Sequence, residues 1–255
     1  MFPVFIALFI LGAVIASFIG VVVARIHTGQ GFLAGRSHCD ACNAPLALGA
    51  LVPIFSFIAS GGRARCCSAR LSVYAPLSEL LLGGLFVLSY LRIGFTSALC
   101  GVLFSFSLLL ALVLYDLAHQ ILPLTLLALF VIASAATGLS LAPSFTVFFG
   151  TFLTAFFIAL SLAFIHFLSR GRAMGLADAP LVFGLALLVG PAALPGFIFS
   201  FWIGAVIGIL ILLRRPAGSR IGIEVPFAPY LAAGFLLAYF TQWNPFIFAV
   251  VLLPS

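Results

Sequence analysis

Long runs of apolar residues dominate this 255-residue chain and limit what it can fold into. A helix needs about 20 residues to cross the roughly 30 Å hydrocarbon core of a bilayer. Runs of about that length predict eight membrane spans, at residues 3–24, 74–91, 95–115, 121–141, 144–168, 178–190, 193–213 and 227–251. The runs lack the alternating pattern of a β-barrel, so we expect helices. The sixth run is short and ends at Gly190-Pro191, which favours a tilted, partial or re-entrant span.

Charged side chains are too scarce to cover a soluble domain of this size. They make up 6% of the residues, whereas an average soluble domain has about 25%. This excludes a soluble enzyme, a disordered tail and a coiled coil. The first apolar run precedes Arg25, the first charge, and this order favours a retained first span over a cleaved signal peptide. The chain is therefore predicted to be an all-α polytopic membrane protein.

The basic residues predict the orientation of the spans. All eleven are arginines, and cytoplasmic loops of membrane proteins carry an excess of Arg and Lys. With the N-terminus outside, ten of the eleven fall on the cytoplasmic side and only Arg92 falls outside. We therefore read the arginines as topology determinants and expect no nucleic-acid partner. The predicted organisation is a first transmembrane helix (1–24), a cytoplasmic insertion (25–73) and a transmembrane bundle (74–255).

Two of the five acidic residues are predicted to lie at the same membrane boundary. Asp116 ends the third span and Asp178 begins the sixth. These spans run in opposite directions, so both carboxylates are expected at the cytoplasmic boundary, where they can meet. Ionisable residues at membrane depth are costly and point to function. Asp178 followed by Ala179-Pro180 also fits a simple helix N-cap, whereas Asp116 lies at a helix C-terminus, where the helix dipole disfavours an anion.

Asp116 and Asp178, hereafter the carboxylate pair, have the chemistry for aspartyl proteolysis. Two adjacent carboxyl groups in a site of low dielectric share one proton. The ionised group then activates a water, and the protonated group donates to the carbonyl under attack. This reaction needs neither a metal nor a nucleophilic side chain. His166 is interpreted as an interfacial or buried histidine, and Glu79, inside the second span, is expected to pair with Arg70 or Arg25.

Several segments resemble the type IV prepilin peptidase family, the bacterial membrane aspartyl proteases that trim the leader of pilin-like proteins. Asp116-Leu117-Ala118-His119-Gln120-Ile121-Leu122-Pro123 resembles the family's first catalytic motif. Met174-Gly175-Leu176-Ala177-Asp178 resembles its second motif, GxGD. Glu224-Val225-Pro226-Phe227-Ala228-Pro229 is similar to the opening of its last span. The resemblance implies that the carboxylate pair is catalytic and that five further residues support it or bind substrate: His119, Pro123, Gly175, Glu79 and Pro226.

Two positions depart from the family's second motif. Ala177 stands where the family has the second glycine, and Pro180 stands where it commonly has lysine. A glycine at position 177 would allow a positive φ and a close backbone approach, so the alanine is expected to stiffen or displace the loop. These changes put efficiency and substrate choice in question more than the carboxylate pair itself.

The insertion carries a set of cysteines in the region where the family often binds zinc through two CxxC pairs. Cys39 and Cys42 form one such pair, but the second is altered to Ala64-Arg65-Cys66-Cys67. A structural zinc site takes four ligands. Cys39, Cys42 and Cys67 supply three, and Cys66 or His38 is the candidate fourth. The alternative is a group of reduced thiols, since the cytoplasm disfavours disulfides.

The resemblance implies a substrate, a location and a second activity. The substrate is a prepilin or pseudopilin precursor, cleaved at the cytoplasmic face of the bacterial inner membrane by a multi-pass protein whose N-terminus lies outside. Many relatives also methylate the new N-terminus with S-adenosylmethionine, although no Gly-rich cofactor loop is evident here. Two other classes stay open: a catalytically impaired relative acting as a scaffold, and a small transporter, which more often shows inverted repeats and charges near the membrane midplane.

Overall fold

The computed structural model describes residues 2–25, 42, 44, 54–172, 174–214 and 226–245. These residues contain nine α-helices: α1 Phe2–Arg25, α2 Phe55–Ala59, α3 Tyr74–Ile93, α4 Ser97–His119, α5 Leu124–Leu141, α6 Phe145–Ser169, α7 Asp178–Val189, α8 Ala193–Arg214 and α9 Ala228–Thr241. No strand occurs within the described residues; the one β-type contact there is an isolated bridge between Arg63 and Arg70. The all-α fold is therefore confirmed.

Six stretches of the described chain are long and apolar enough to cross a membrane. They are α1, α3, α4, α5, α6 and the 37-residue stretch Asp178–Arg214, which contains α7 and α8. The chain is thus a polytopic membrane protein, and the predicted count of eight spans is approximate. The difference arises because the sixth predicted span is a helix of only 12 residues, about 18 Å long at 1.5 Å per residue, and because α9 is also short.

A bend between α7 and α8 divides the sixth stretch. Gly190 has φ +65°, and Gly190–Ala192 forms a 3₁₀ turn with proline near its start. A positive φ suits glycine, which has no Cβ to clash with the backbone. The Gly190-Pro191 pair noted in the sequence therefore ends the short helix, and α8 begins directly afterwards.

The first compact unit comprises residues 1–95. Within it α1 packs against α3, and a Cβ added to Gly12 would lie 2.8 Å from the Gly83 Cα. Small residues at such positions let two membrane helices approach closely. The short helix α2 also belongs to this unit and spans Phe55–Ala59; residues 45–53, which precede it, lie outside the described residues.

The second compact unit comprises residues 96–255, and α7 is its central helix. Ten of the 12 residues of α7 are buried, and α7 packs against α5, α6 and α9. A helix that is apolar all round is expected at the centre of a bundle. Glycines allow this packing: a Cβ on Gly184 would lie 2.7 Å from Phe130 Cε1, and one on Gly138 would clash with the Leu187 carbonyl.

Candidate active site

Asp116 is a buried carboxylate held by the last described helix. It lies in the final turn of α4, and only 6% of its surface is exposed. Its Oδ2 accepts a hydrogen bond from the Ala228 N–H at 3.1 Å. Ala228 is the first residue of α9, whose N-cap residue makes no side-chain cap. The carboxylate therefore occupies the positive end of α9, which offsets its unfavourable position at the C-terminal end of α4.

Asp178 is a second buried carboxylate, held by its own loop. It is the first residue of α7 and is 7% exposed. Its Oδ2 accepts a hydrogen bond from the Gly175 N–H at 3.1 Å, while its own N–H donates to the Gly175 carbonyl at 3.3 Å. Both backbone groups of Gly175 thus pair with Asp178. The tight turn explains why this carboxylate faces back toward the loop and does not cap α7 from outside.

The structure brings the two carboxylates into one site within the second unit. The Asp178 carboxylate interacts electrostatically with Asp116 and with His166. Among the described residues, each carboxylate uses only Oδ2 in a hydrogen bond. No described residue therefore donates a hydrogen bond to either Oδ1. Two fixed carboxylates with free oxygens are the arrangement that acid–base activation of a water requires.

The four predicted supporting residues of the second unit lie in the segments around the carboxylate pair. Gly175 contributes the N–H that binds Asp178. His119 is exposed and ends α4; its ring centroid is 4.7 Å from that of Tyr115. Pro123 has φ −66° and is the N-cap residue of α5, and Pro226 lies two residues before Ala228. The two prolines thus occupy helix entries, where a fixed φ and a missing N–H are tolerated.

His166 has a defined role that the sequence interpretation missed. It lies in the last turn of α6, and its Nδ1 is 2.8 Å from the Met174 carbonyl oxygen. That carbonyl belongs to the loop that leads into Asp178. The sequence did hold one indication of this contact. His166 is a polar residue at the end of an apolar helix, shortly before the GxGD-like motif. His166 therefore connects α6 to the loop of the candidate site.

Ala177 has an ordinary backbone conformation in the loop before α7. Its φ is −68° and its ψ is −17°, an ordinary helical conformation for any L-residue. Pro180 lies in the first turn of α7, where a proline leaves no helical hydrogen bond unmade. Ala177 and Pro180 thus both suit the backbone positions that they occupy.

Glu79 belongs to the first unit and fixes a different loop. It is a buried residue of α3, and its Oε2 accepts a hydrogen bond from the Ile54 N–H at 2.6 Å. Ile54 precedes α2 and has φ +58°. The sequence predicted an arginine partner, and the structure shows this backbone amide. Glu79 thus holds the start of α2 in an unusual backbone conformation, which is a structural role.

Three of the four predicted metal ligands lie together in the first unit; Cys39 lies outside the described residues. The Sγ atoms of Cys42, Cys66 and Cys67, hereafter the cysteine cluster, all lie within 4.8 Å of one another. Cys66, which the sequence made an uncertain ligand, is the nearest to Cys42, at 3.3 Å. Its Sγ is 3.9 Å from that of Cys67.

These spacings fit a thiolate-bound metal. Zinc–sulfur bonds of about 2.3 Å in a tetrahedron place the sulfur atoms roughly 3.8 Å apart. Soft thiolates select zinc over hard cations such as magnesium. The cysteine cluster can therefore supply three ligands to one zinc ion, and a structural site needs one more.

Comparison with known proteins shows the family to which this chain is related. Residues 10–93 match the family described as the bacterial peptidase A24 N-terminal domain. The chain is 37% identical over 234 residues to the prepilin leader peptidase/N-methyltransferase of Myxococcus xanthus, covering 86% of this chain and 66% of that protein. It is 32% identical to the Bacillus subtilis protein of the same name, covering 91% of this chain and 92% of that protein. The Dickeya chrysanthemi protein is 30% identical over 93% of this chain. No solved structure matches significantly.

Proposed function

Because the chain belongs to the prepilin leader peptidase/N-methyltransferase family, we propose that it is an aspartyl endopeptidase that removes the leader of prepilin-like proteins. One observation carries the proposal: two buried carboxylates, far apart in sequence, interact within one unit while each keeps an oxygen free of hydrogen bonds from the described residues. Ionisable residues inside a membrane bundle are costly and usually mark a functional site. The pairing of two acids is typical of a catalytic site.

The proposed reaction uses one water and one shared proton. The ionised carboxylate takes a proton from the water, whose oxygen attacks the scissile carbonyl carbon. The protonated carboxyl donates its proton to the carbonyl oxygen, which forms a neutral gem-diol intermediate. The carboxyl that took the water's proton then gives it to the leaving nitrogen, while a gem-diol hydroxyl returns its proton to the other carboxylate. The C–N bond breaks and the carbonyl re-forms, yielding the leader's carboxyl group and the new N-terminus. The carboxylate pair is left with one proton, ready for another cycle.

The backbone hydrogen bonds give the pair its fixed geometry. Ala228 and Gly175 each donate to an Oδ2, so both carboxyl groups are held without a long side chain that could move away. A neutral N–H donor also leaves the total charge of the pair unchanged, whereas an arginine would keep both carboxylates ionised and block proton sharing. The donors therefore suit acid–base work better than a salt bridge would.

We place the site at the cytoplasmic face of the bacterial inner membrane, with the N-terminus outside. The distribution of arginines supports this orientation. The substrate is a pilin-like precursor with a short basic leader and an apolar helix. Such a helix can lie in the bilayer beside the bundle while its leader junction reaches the membrane boundary.

We further propose that the new N-terminus is methylated and that the cysteine cluster holds a structural zinc. The relatives' names include N-methyltransferase, an activity for which S-adenosylmethionine supplies the methyl group. Cys42, Cys66 and Cys67 would hold the metal, with Cys39 as the proposed fourth ligand. A zinc bound to four thiolates has no open position, so it would fold the insertion and take no part in proteolysis.

Cleavage of a cognate prepilin by purified protein in liposomes tests the peptidase proposal. Asp116→Asn and Asp178→Asn are each expected to lower kcat by more than about a thousandfold, because an amide can neither take nor give the shared proton. A matched control is Ser161→Ala, on an exposed face of α6, which is expected to cleave normally. Product mass after addition of S-adenosylmethionine tests methylation.

Each outcome separates the alternatives. Cleavage that persists in either asparagine variant would remove the carboxylate pair from the mechanism. A parent protein that leaves a cognate prepilin uncut would favour the scaffold. Substrate flux across the liposome membrane without cleavage would favour the transporter. Melting curves of the variants exclude misfolding as the cause of any loss.

A further inference from the structure

One peptide unit connects His166 to the carboxylate of Asp178. The carbonyl of Met174 and the N–H of Gly175 belong to the same peptide group. His166 Nδ1 lies 2.8 Å from that carbonyl oxygen, and Asp178 Oδ2 lies 3.1 Å from that N–H. A carbonyl oxygen only accepts, so Nδ1 carries the proton and donates.

The planarity of the peptide makes this connection mechanical. In a trans peptide the C=O and N–H bonds are held in one plane and point in opposite directions. Fixing the carbonyl toward His166 therefore fixes the N–H toward Asp178. Without the imidazole, only the bond to Asp178 would hold this plane, and rotation about the line joining the two Cα atoms would weaken that bond.

The surroundings of His166 fit this role. Gly171 has φ +76°, and a Cβ there would lie 3.3 Å from the imidazole Cε1. The Gly171 N–H donates to the His166 carbonyl at 2.9 Å. The chain thus turns tightly beside the ring at the end of α6. The imidazole also interacts electrostatically with Asp178, which requires the ring to stay near the site.

We propose that His166 is a positioning residue for Asp178, acting through the Met174–Gly175 peptide. This inference rests on the proposed peptidase function. In this role His166 acts through the backbone, since its Nδ1 bonds to the Met174 carbonyl. It sets the direction of the one N–H that orients the Asp178 carboxylate.

Substitutions at position 166 separate a positioning role from plain packing. In His166→Asn the amide nitrogen can take the place of Nδ1 and donate to the Met174 carbonyl. In His166→Phe the ring volume is kept and the donor is lost. Ser161→Ala, earlier on α6, is the control for a change on this helix; the Ser161 hydroxyl bonds only to the Ile158 carbonyl of its own helix.

Cleavage kinetics give the first test. We expect His166→Phe to lower kcat about tenfold, the loss expected for one aligned hydrogen bond, with KM changed less than about twofold. His166→Asn is expected to restore kcat to within about threefold of the parent. A His166→Phe variant with the parent's kcat, or an asparagine variant as slow as the phenylalanine one, would overturn the proposal.

Nuclear magnetic resonance gives a second test that does not depend on activity. The chain has two methionines, and only Met174 precedes a glycine, so labelling with ¹³C-carbonyl methionine and ¹⁵N glycine yields one resonance pair for this peptide. In His166→Phe we expect the Met174 carbonyl carbon and the Gly175 amide proton both to move upfield, reporting two weakened hydrogen bonds. Movement of the carbonyl alone would contradict the mechanical link.

The two proposals can fail separately. If Asp116→Asn or Asp178→Asn still cleaves, the peptidase mechanism fails, while the resonance pair still reports whether His166 orients the peptide. If both asparagine variants are inactive and His166→Phe matches the parent in kcat and in both resonances, only the positioning role of His166 fails.

Discussion

The carboxylate pair and the cysteine cluster are two polar sites in two units of one membrane protein, and they are built in opposite ways. Asp116 and Asp178 are 6% and 7% exposed, and backbone amides from two helix entries hold them. Cys42, Cys66 and Cys67 are all exposed, with their sulfur atoms close together. Helix packing therefore holds the carboxylate pair in place. The cysteine cluster, by contrast, lies at the surface and consists of the thiol side chains themselves.

This difference predicts that one site is formed before it binds its ligand and that the other is formed only with its ligand. Buried carboxylates with backbone donors are held in place by the helices around them, so the site is formed without substrate. Clustered thiolates repel one another, and a metal ion offsets that repulsion, so metal binding and folding are coupled. The carboxylate pair should thus depend on helix packing, and the cysteine cluster should depend on zinc.

The largest expected effect comes from overfilling the contact between α5 and α7. Gly184→Leu adds a side chain where even a Cβ would lie 2.7 Å from buried Phe130, which typically costs about 1–3 kcal/mol or more. We expect most of the cleavage activity and of the folded protein to be lost, as measured by product formation and by the melting temperature. Zinc content per chain should stay unchanged.

The matched control is Gly150→Leu on α6, where an added Cβ meets no atom within 4 Å. It is expected to melt and cleave like the parent. Normal cleavage by Gly184→Leu would contradict this difference between the two sites, because the carboxylate pair would then not depend on the packing of α7.

An intermediate effect is expected from Cys66→Ser. A hydroxyl is a poor ligand for zinc, so we expect the metal content to fall from about one ion per chain to near zero. Proteolysis should change less than about threefold, because the proposed reaction uses no metal. Elemental analysis and cleavage rates measure the two quantities, and Cys100→Ser in α4 is the control thiol.

Loss of both cleavage and zinc in Cys66→Ser would contradict the independence of the two sites. That result would mean that the cysteine cluster supports the carboxylate site, or that the metal enters catalysis. Unchanged zinc content in Cys66→Ser would instead remove Cys66 from the ligand set.

The smallest expected effect comes from Ala177→Gly, which restores the family's motif. Since Ala177 has φ −68°, the backbone gains nothing from glycine, which loses roughly 0.5–1 kcal/mol through added freedom of the unfolded chain. We expect kcat within about twofold of the parent and a slightly lower melting temperature. A rise in kcat of tenfold or more would show that the working loop needs a conformation that alanine resists.

The sequence predicted features that depend on side-chain pattern, and it did not predict those that depend on backbone hydrogen bonds. Apolar run length predicted the long helices, and the direction of the spans predicted that Asp116 and Asp178 share a boundary. The donors to their carboxylates were not predictable from pattern, because a backbone N–H carries no side-chain signal. His166 was missed for the same reason: its partner is the carbonyl of Met174. The exact end of the sixth span depended on a positive φ at Gly190.

The hydrogen bond from Ala228 to Asp116 has a consequence during synthesis. The acid is made early, while its donor lies 112 residues later in the chain. A ribosome that has not yet passed Ala228 has therefore made both carboxylates of the proposed pair but not the amide that binds Asp116. The hydrogen bond that orients Asp116 therefore forms only after α9 has been made.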